Sequence, residues 1–204
     1  MSNAPLPPPI GYSIVPPRHV ANVATFLEMR AKPVLSPPVA ASDLTLERWH
    51  DADLTTYRAL FKAIGENWMW YSRLVMPDHE LLRIFRDSKI EIYRLFDKDR
   101  TAGFLELDFS SRQECELSFL GLVPEAIGKG AGRFLMDAAI RLAWSKPITR
   151  FWVHTCTFDH PAALSFYQRS GFTPYQVALE IHPDPRLTGH MPREAAPHVP
   201  IIER

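Results

Sequence analysis

Residues 114–144 (ECELSFLGLVPEAIGKGAGRFLMDAAIRLAW) constrain this chain more than any other stretch. An alternating segment ends near Leu122, a short polar turn follows, glycines stand at Gly128, Gly130 and Gly132, and a segment with a three-and-four period runs to about Trp144. The pattern predicts a strand, a glycine loop and a helix. Glycine allows close backbone approach and dihedral angles that other residues resist. The free N–H groups of a helix's first turn, at its positive dipole end, favour an anion, and Lys129 and Arg133 add charge there. The stretch therefore reads as a cradle for phosphate or pyrophosphate. It is not a Walker loop, because Lys129 is followed by Gly130 rather than Ser or Thr. It is not the dinucleotide fingerprint either: the third glycine falls one residue early, Arg133 sits where it belongs, and no acidic residue ends the next strand near Phe151–His154.

The chain has 204 residues, 46% hydrophobic and 23% charged, enough for one domain with a sizeable core. A formal net charge of zero argues against a general nucleic-acid binder. Cys115 and Cys156 form neither a metal spacing nor a disulfide framework, and a reducing, cytoplasmic location fits them best. No apolar run approaches the ~20 residues that span a bilayer, and the first residues lack the pattern of a signal peptide. Of 19 prolines, six fall in residues 1–17 and five in residues 183–200. Residues 1–18 and 183–204 thus read as irregular arms around a single domain at 19–182.

Along the domain, residues 19–29 suit a first strand and Leu44–Leu46 a short one. Leu54, Tyr57, Leu60, Phe61 and Ile64 give residues 50–64 one apolar helical face, with Gly65 as a stop. Pro77 opens a second helix over 78–87. Residues 89–96 and 101–109 form an antiparallel hairpin, and 113–123 a third strand bent at Leu120-Gly121-Leu122. In these strands Leu105, Leu107 and Phe109 oppose Glu106 and Asp108, while Cys115, Leu117 and Phe119 oppose Glu114, Glu116 and Ser118. In the helix after the glycine loop, Ala131, Leu135, Ala138 and Leu142 make the buried stripe. A strand at 149–155, a helix at 160–170 and a strand at 172–181 complete the order β-α-α-β-β-β-α-β-α-β. This is an α/β chain with a mixed sheet, antiparallel first and parallel in the middle.

Val123-Pro124-Glu125 followed by Ile127-Gly128-Lys129-Gly130-Ala131-Gly132 resembles the acyl-CoA loop of the GNAT superfamily of N-acetyltransferases, Gln/Arg-x-x-Gly-x-Gly/Ala, with Ile127 in the Gln/Arg position. A second stretch resembles that family's Asn-x-x-Ala-x-x-x-Tyr-x-x-x-Gly-Phe signature. Ala163, Tyr167, Gly171 and Phe172 fall in place, and His160 replaces the Asn, with Asp159 able to cap the helix instead. The resemblance covers about residues 44–181.

It implies a GNAT fold whose parallel central strands splay after Gly121, with acetyl-CoA as the cofactor. Leu122, Val123, Ile127, Gly128, Lys129, Gly130, Ala131, Gly132, Arg133 and His160 are the expected contacts, mostly through main-chain amides. The amide near Leu122 is expected to polarise the thioester carbonyl. Tyr167 is the candidate acid for the departing thiolate, since a phenol is protonated at neutral pH. Glu116, with Glu106 as rival, is the candidate base. Trp68, Trp70 and Tyr71 are expected to wall the acceptor pocket. His154 reads as a structural histidine or a proton relay. The implied reaction is direct acetyl transfer to a primary amine of a small molecule or peptide, without a nucleic-acid or membrane partner and with a homodimer possible. The alternative is a non-catalytic acyl-CoA-binding sensor or interaction module.

Overall fold

A computed structural model describes residues 10–34 and 43–204. The first nine residues of the N-terminal arm, and the loop prolines Pro37 and Pro38, lie outside the described residues. Seven strands form one sheet: β1 (His19–Met29), β2 (Leu44–Arg48), β3 (Ile90–Asp97), β4 (Arg100–Asp108), β5 (Glu114–Leu122), β6 (Arg150–Cys156) and β7 (Thr173–Pro183). The helices are α1 (Leu54–Gly65), α2 (Ser72–Val75), α3 (Asp78–Arg86), α4 (Ala131–Ala143) and α5 (Ala163–Arg169). The order across the sheet is β2-β3-β4-β5-β6-β1-β7, and β5–β6 is the parallel pair. Among the described residues no helix is long and apolar enough to cross a membrane.

The expected element order holds, with one strand more at the start and the short helix α2 added between the two expected helices. Both N-terminal strands form, and β1 inserts antiparallel between β6 and β7. The sheet is covered on both faces. On one side Tyr57, Phe61 and Ile64 of α1 and Leu81 of α3 pack on Ile92 and Phe104. On the other, Ala131, Leu135, Met136, Ala139, Ile140 and Ala143 of α4 pack on Leu105, Leu107, Cys115, Leu117, Phe151 and Val153. The buried stripe of α4 is thus turned by one residue from the expected one: Ala139 and Ala143 go in, while Ala138 and Leu142 are half-buried. Because both faces are covered, Glu106 is not on a wet face as its alternation implied. It lies under α1, 1% exposed.

Three local expectations shift. Gly65 does not stop α1 through a left-handed turn; the chain continues into a 3-10 turn at Glu66–Trp68 and reverses at Met69, φ 58°. Gly65 is needed because a Cβ there would lie 2.2 Å from Trp70 Cβ. The bend of β5 is a bulge at Ser118, which has no partner between the Leu107↔Leu117 and Glu106↔Phe119 pairs. One extra residue reverses the alternation, so Phe119 packs with the α1 cluster instead of sharing a face with Cys115 and Leu117. Gly121 then fits beneath α1, where a Cβ would stand 2.3 Å from Ile64 Cγ2.

Candidate active site

The parallel ladder between β5 and β6 is short. It holds Glu114↔Arg150, Cys115↔Phe151 and Glu116↔Trp152, and beyond Glu116 the strands diverge. The splay thus begins five positions before Gly121, where it was expected. The Val123 N–H donates to Ala102 O on β4 at 3.0 Å. Main-chain N–H groups alternate in direction along a strand, so those of Leu122 and Leu120 point away from β4 and into the gap.

At the far end of β5 the chain makes a 3-10 turn over Pro124–Ala126, and the Ile127 amide is taken by Pro124 O at 3.2 Å. Gly128 and Gly130 both have φ 83°, and a Cβ at either would meet nothing within 4 Å. Their left-handed backbone opens the loop ahead of α4. Among the described residues, no amide from Gly128 to Arg133 donates to a backbone carbonyl or is capped by a side chain. Unclaimed donors at the positive end of a 13-residue helix favour an anion. Lys129 is exposed beside it. Arg133 is also exposed, and its Nε meets Asp137 Oδ1 at 2.9 Å.

Two cavities meet at the splay. One, of about 260 Å³, runs from Ile127, Gly128 and Gly132 past Leu122 and Phe166 to Tyr167. The other, of about 450 Å³, lies beyond Tyr167 and is lined by Tyr71, Glu116, Phe119 and His154. Trp68, Trp70, Leu120, Asp159 and Tyr167 line both. Tyr167 descends from α5 in the α4-side layer, 8% exposed, and burial, with Asp159 second, raises its phenol above the ordinary tyrosine value. The phenol is thereby kept protonated at neutral pH.

Glu116 stands opposite Asp108 on β4, on the same face as Glu106. Burial, then the charges of Asp108 and Glu106, push its carboxyl up to about 7 against an opposing pull from Arg73. His154 Nδ1 lies 3.7 Å from Glu116 Oε1. Glu106 is differently placed. Its Oε2 accepts from Tyr57 OH at 2.8 Å and its Oε1 from Arg73 Nη2 at 2.5 Å. One oxygen is committed to a buried ion pair and the other to a phenol, so Glu106 shapes the charge around Glu116 rather than facing a substrate. Cys156 lines the larger cavity, but burial and Asp159 push its thiol up to about 11, which leaves it a poor nucleophile at neutral pH.

Of the expected wall, Trp70 packs on Phe61 and Phe119, Trp68 lies between the rings of His160 and His198, and Tyr71 OH meets His182 Nδ1 at 3.3 Å. Asp159 does not cap α5. It accepts from Trp70 Nε1 at 2.9 Å, Thr155 Oγ1 at 2.8 Å and the Cys156 amide at 2.8 Å. This ties the wall after α1 to the β6–α5 turn. His160 serves near the helix start instead, its Nδ1 accepting from the Ala162 amide at 3.0 Å. The site residues that sequence reasoning missed are Asp159 in this strap role, Arg73, and Asn22 and Glu180 of the larger cavity. Asp159 carried a signal, an acid beside the second signature; the other three lie far from any motif.

A model of the acetyltransferase (GNAT) family matches residues 46–172. No curated protein matches the sequence. Solved structures share the fold. A GCN5-related N-acetyltransferase from Sphaerobacter thermophilus is 11% identical with a TM-score of 0.56, over 79% of this chain and 51% of its own. This chain thus spans about half the length of that protein. The ribosomal-protein-S18-alanine N-acetyltransferase of Escherichia coli is 14% identical with a TM-score of 0.53, over 69% of this chain and 93% of its own. An aminoglycoside acetyltransferase from an uncultured soil metagenomic sample is 19% identical with a TM-score of 0.51, over 63% of this chain and 87% of its own.

Proposed function

Because the chain belongs to the GNAT family of acetyltransferases, we propose that it transfers an acetyl group from acetyl-CoA to a primary amine in a ternary complex. The observation that carries this reading is the splay. It brings the unclaimed amides of Gly128–Arg133, the Leu122 N–H, Tyr167 and Glu116 onto one continuous path between the two cavities. These residues fit the cofactor: an anion seat, an open strand edge and a narrow cavity follow one another in that order.

Acetyl-CoA supplies an activated thioester and a sulfur leaving group. Amides of Gly128, Lys129, Gly130, Ala131, Gly132 and Arg133 hold the diphosphate. The exposed edge of β5, with Val123 at its end and His160 across the cavity, holds the pantetheine arm as an added strand. The Leu122 N–H, which points into the gap, would donate to the thioester carbonyl oxygen and stabilise the charge that grows on it. Glu116, with a carboxyl near 7, takes the proton from the incoming amine. Tyr167 gives its phenolic proton to the departing sulfur. One C–N bond forms, one C–S bond breaks, and each proton has a named carrier. The raised thiol of Cys156 supports direct attack over an acyl-enzyme route.

The printed names of two structural neighbours, one an aminoglycoside and one a ribosomal-protein-alanine acetyltransferase, support an amine acceptor on a small molecule or a protein. Two free cysteines fit a reducing, cytoplasmic setting. The exposed row Tyr175, Val177, Leu179 and Ile181 on edge strand β7 supports a homodimer, which sedimentation would read directly. The activity test is acetyl-CoA-dependent thiol release against a panel of amines, with Tyr167→Phe as control. Turnover lost in the variant supports the reading. Saturable CoA binding with no turnover on any amine would favour a non-catalytic acyl-CoA module.

A further inference from the structure

Strand β1 pairs with β7 from His19 to Glu28 but with β6 only from Ala24 to Met29, so beside Asn22 the ladder runs on the β7 side alone. One polar side chain of this strand is nonetheless buried. Asn22 is 3% exposed, stands between Val20 and Ala24 on the inward face, and lines the 450 Å³ cavity. It faces Glu180 of β7 in register and donates its Nδ2 to Glu180 Oε2 at 2.8 Å. A carboxylate only accepts, so this bond fixes the amide's orientation. Asn22 Oδ1 is thereby left as a buried acceptor with no hydrogen-bond partner among the described residues. A buried acceptor left unpaired in this way is unfavourable until a donor reaches it. Asn22 stands on the inward face and lines the cavity, so the cavity is the direction from which a donor can come.

Glu180 lines the same cavity and is exposed at its rim. No Lys or Arg lies within ion-pair distance of it among the described residues. Tyr71 stands near it, with a phenol raised first by burial and then by the Glu180 charge. The rim therefore offers a carboxylate, a carbonyl oxygen and an aromatic face. An ammonium group, with several N–H donors and a full charge, answers all three. Glu116 and Tyr167, where the transfer chemistry is proposed, line the same cavity.

We propose that Asn22 and Glu180 form a second subsite of the acceptor cavity, which seats the distal ammonium of a diamine while its other nitrogen is acetylated. The proposal rests on the acetyl-transfer reading and narrows its acceptor to dicationic amines. Neither residue lies within residues 46–172, so the selectivity comes from strands outside the family's matched segment.

The test compares linear diamines of increasing length with monoamines of the same length as acceptors, in the wild type and in Glu180→Gln. The variant keeps an oxygen for Asn22 Nδ2, removes the charge and puts a neutral NH2 group in place of the second carboxylate oxygen. The expected result is a wild-type preference for diamines, with an optimum at one chain length. Glu180→Gln should cut the diamine-to-monoamine ratio of kcat/KM by about fivefold, the scale of a partly exposed ion pair. An unchanged ratio overturns the subsite and leaves the transferase reading standing. If no amine is acetylated, the transferase reading fails, and calorimetry of the best-spaced diamine with CoA present judges the subsite. Binding weakened by salt and by Glu180→Gln supports it; binding that is absent or indifferent to both overturns it.

Discussion

A carboxyl group that titrates near 7 weakens a fold at neutral pH, and Glu116 is such a group. Its ordinary value is 4.5, and the folded protein raises it to about 7. The stability tied to its protonated form is complete below 4.5 and is lost as pH rises through 7. Glu116→Gln should therefore stabilise the protein at pH 8 by about 2 kcal/mol and change little at pH 4, as read by denaturant melts at each pH. The same residue sets the rate profile: kcat/KM should climb as pH rises through about 7 in the wild type, and the limb should vanish in Glu116→Gln. Tyr167→Phe should lower kcat by about 10²–10³ while leaving CoA affinity and the melting temperature near the wild-type values. Sequence alternation put Glu106 and Glu116 each on the polar side of its own strand, and in the sheet the two share a face. It gave no way to separate them, because what separates them is long-range: Tyr57 and Arg73 reach Glu106 from other elements and leave Glu116 to the cavity.

At the scale of elements, the glycine loop was legible because left-handed backbone leaves a residue-type signature, and Gly128 and Gly130 both show it. Alanine at either position puts a Cβ on a backbone at φ 83°, costing about 1–2 kcal/mol, and should weaken CoA binding about tenfold or more. The bulge in β5 was not legible, since Ser118 has no special backbone demand; its position is set by pairing with β4. Its consequence is large, for it turns Phe119 to the α1 side while leaving Glu116 beside Asp108. The expected break at Gly121 was a packing constraint instead, as was Gly65. Gly121→Val should destabilise by about 2–3 kcal/mol through collision with Ile64, measured by chemical denaturation.

Across the whole molecule, local pattern found the strands but not the place of β1, because insertion between β6 and β7 is decided by contacts far apart in sequence. The C-terminal arm, read as irregular from its prolines, is irregular and anchored. Arg186 is 6% exposed, pairs with Asp184 and donates to the carbonyls of Ala195, Ala196 and Val199. Met191, Ala195 and Ala196 close over Val20, Met69 and Phe158, next to the acceptor wall. Arg186→Ala would leave Asp184 buried without its counter-charge and should cost about 3–5 kcal/mol in a denaturant melt. Acetyl transfer at this site requires above all that the amides of residues 128–133 seat a diphosphate. Calorimetric titration of CoA into the wild type and into Gly128→Ala/Gly130→Ala tests this most directly. Saturable, exothermic binding that the double variant loses is the expected result; no binding to the wild type, or equal binding to both, would contradict it.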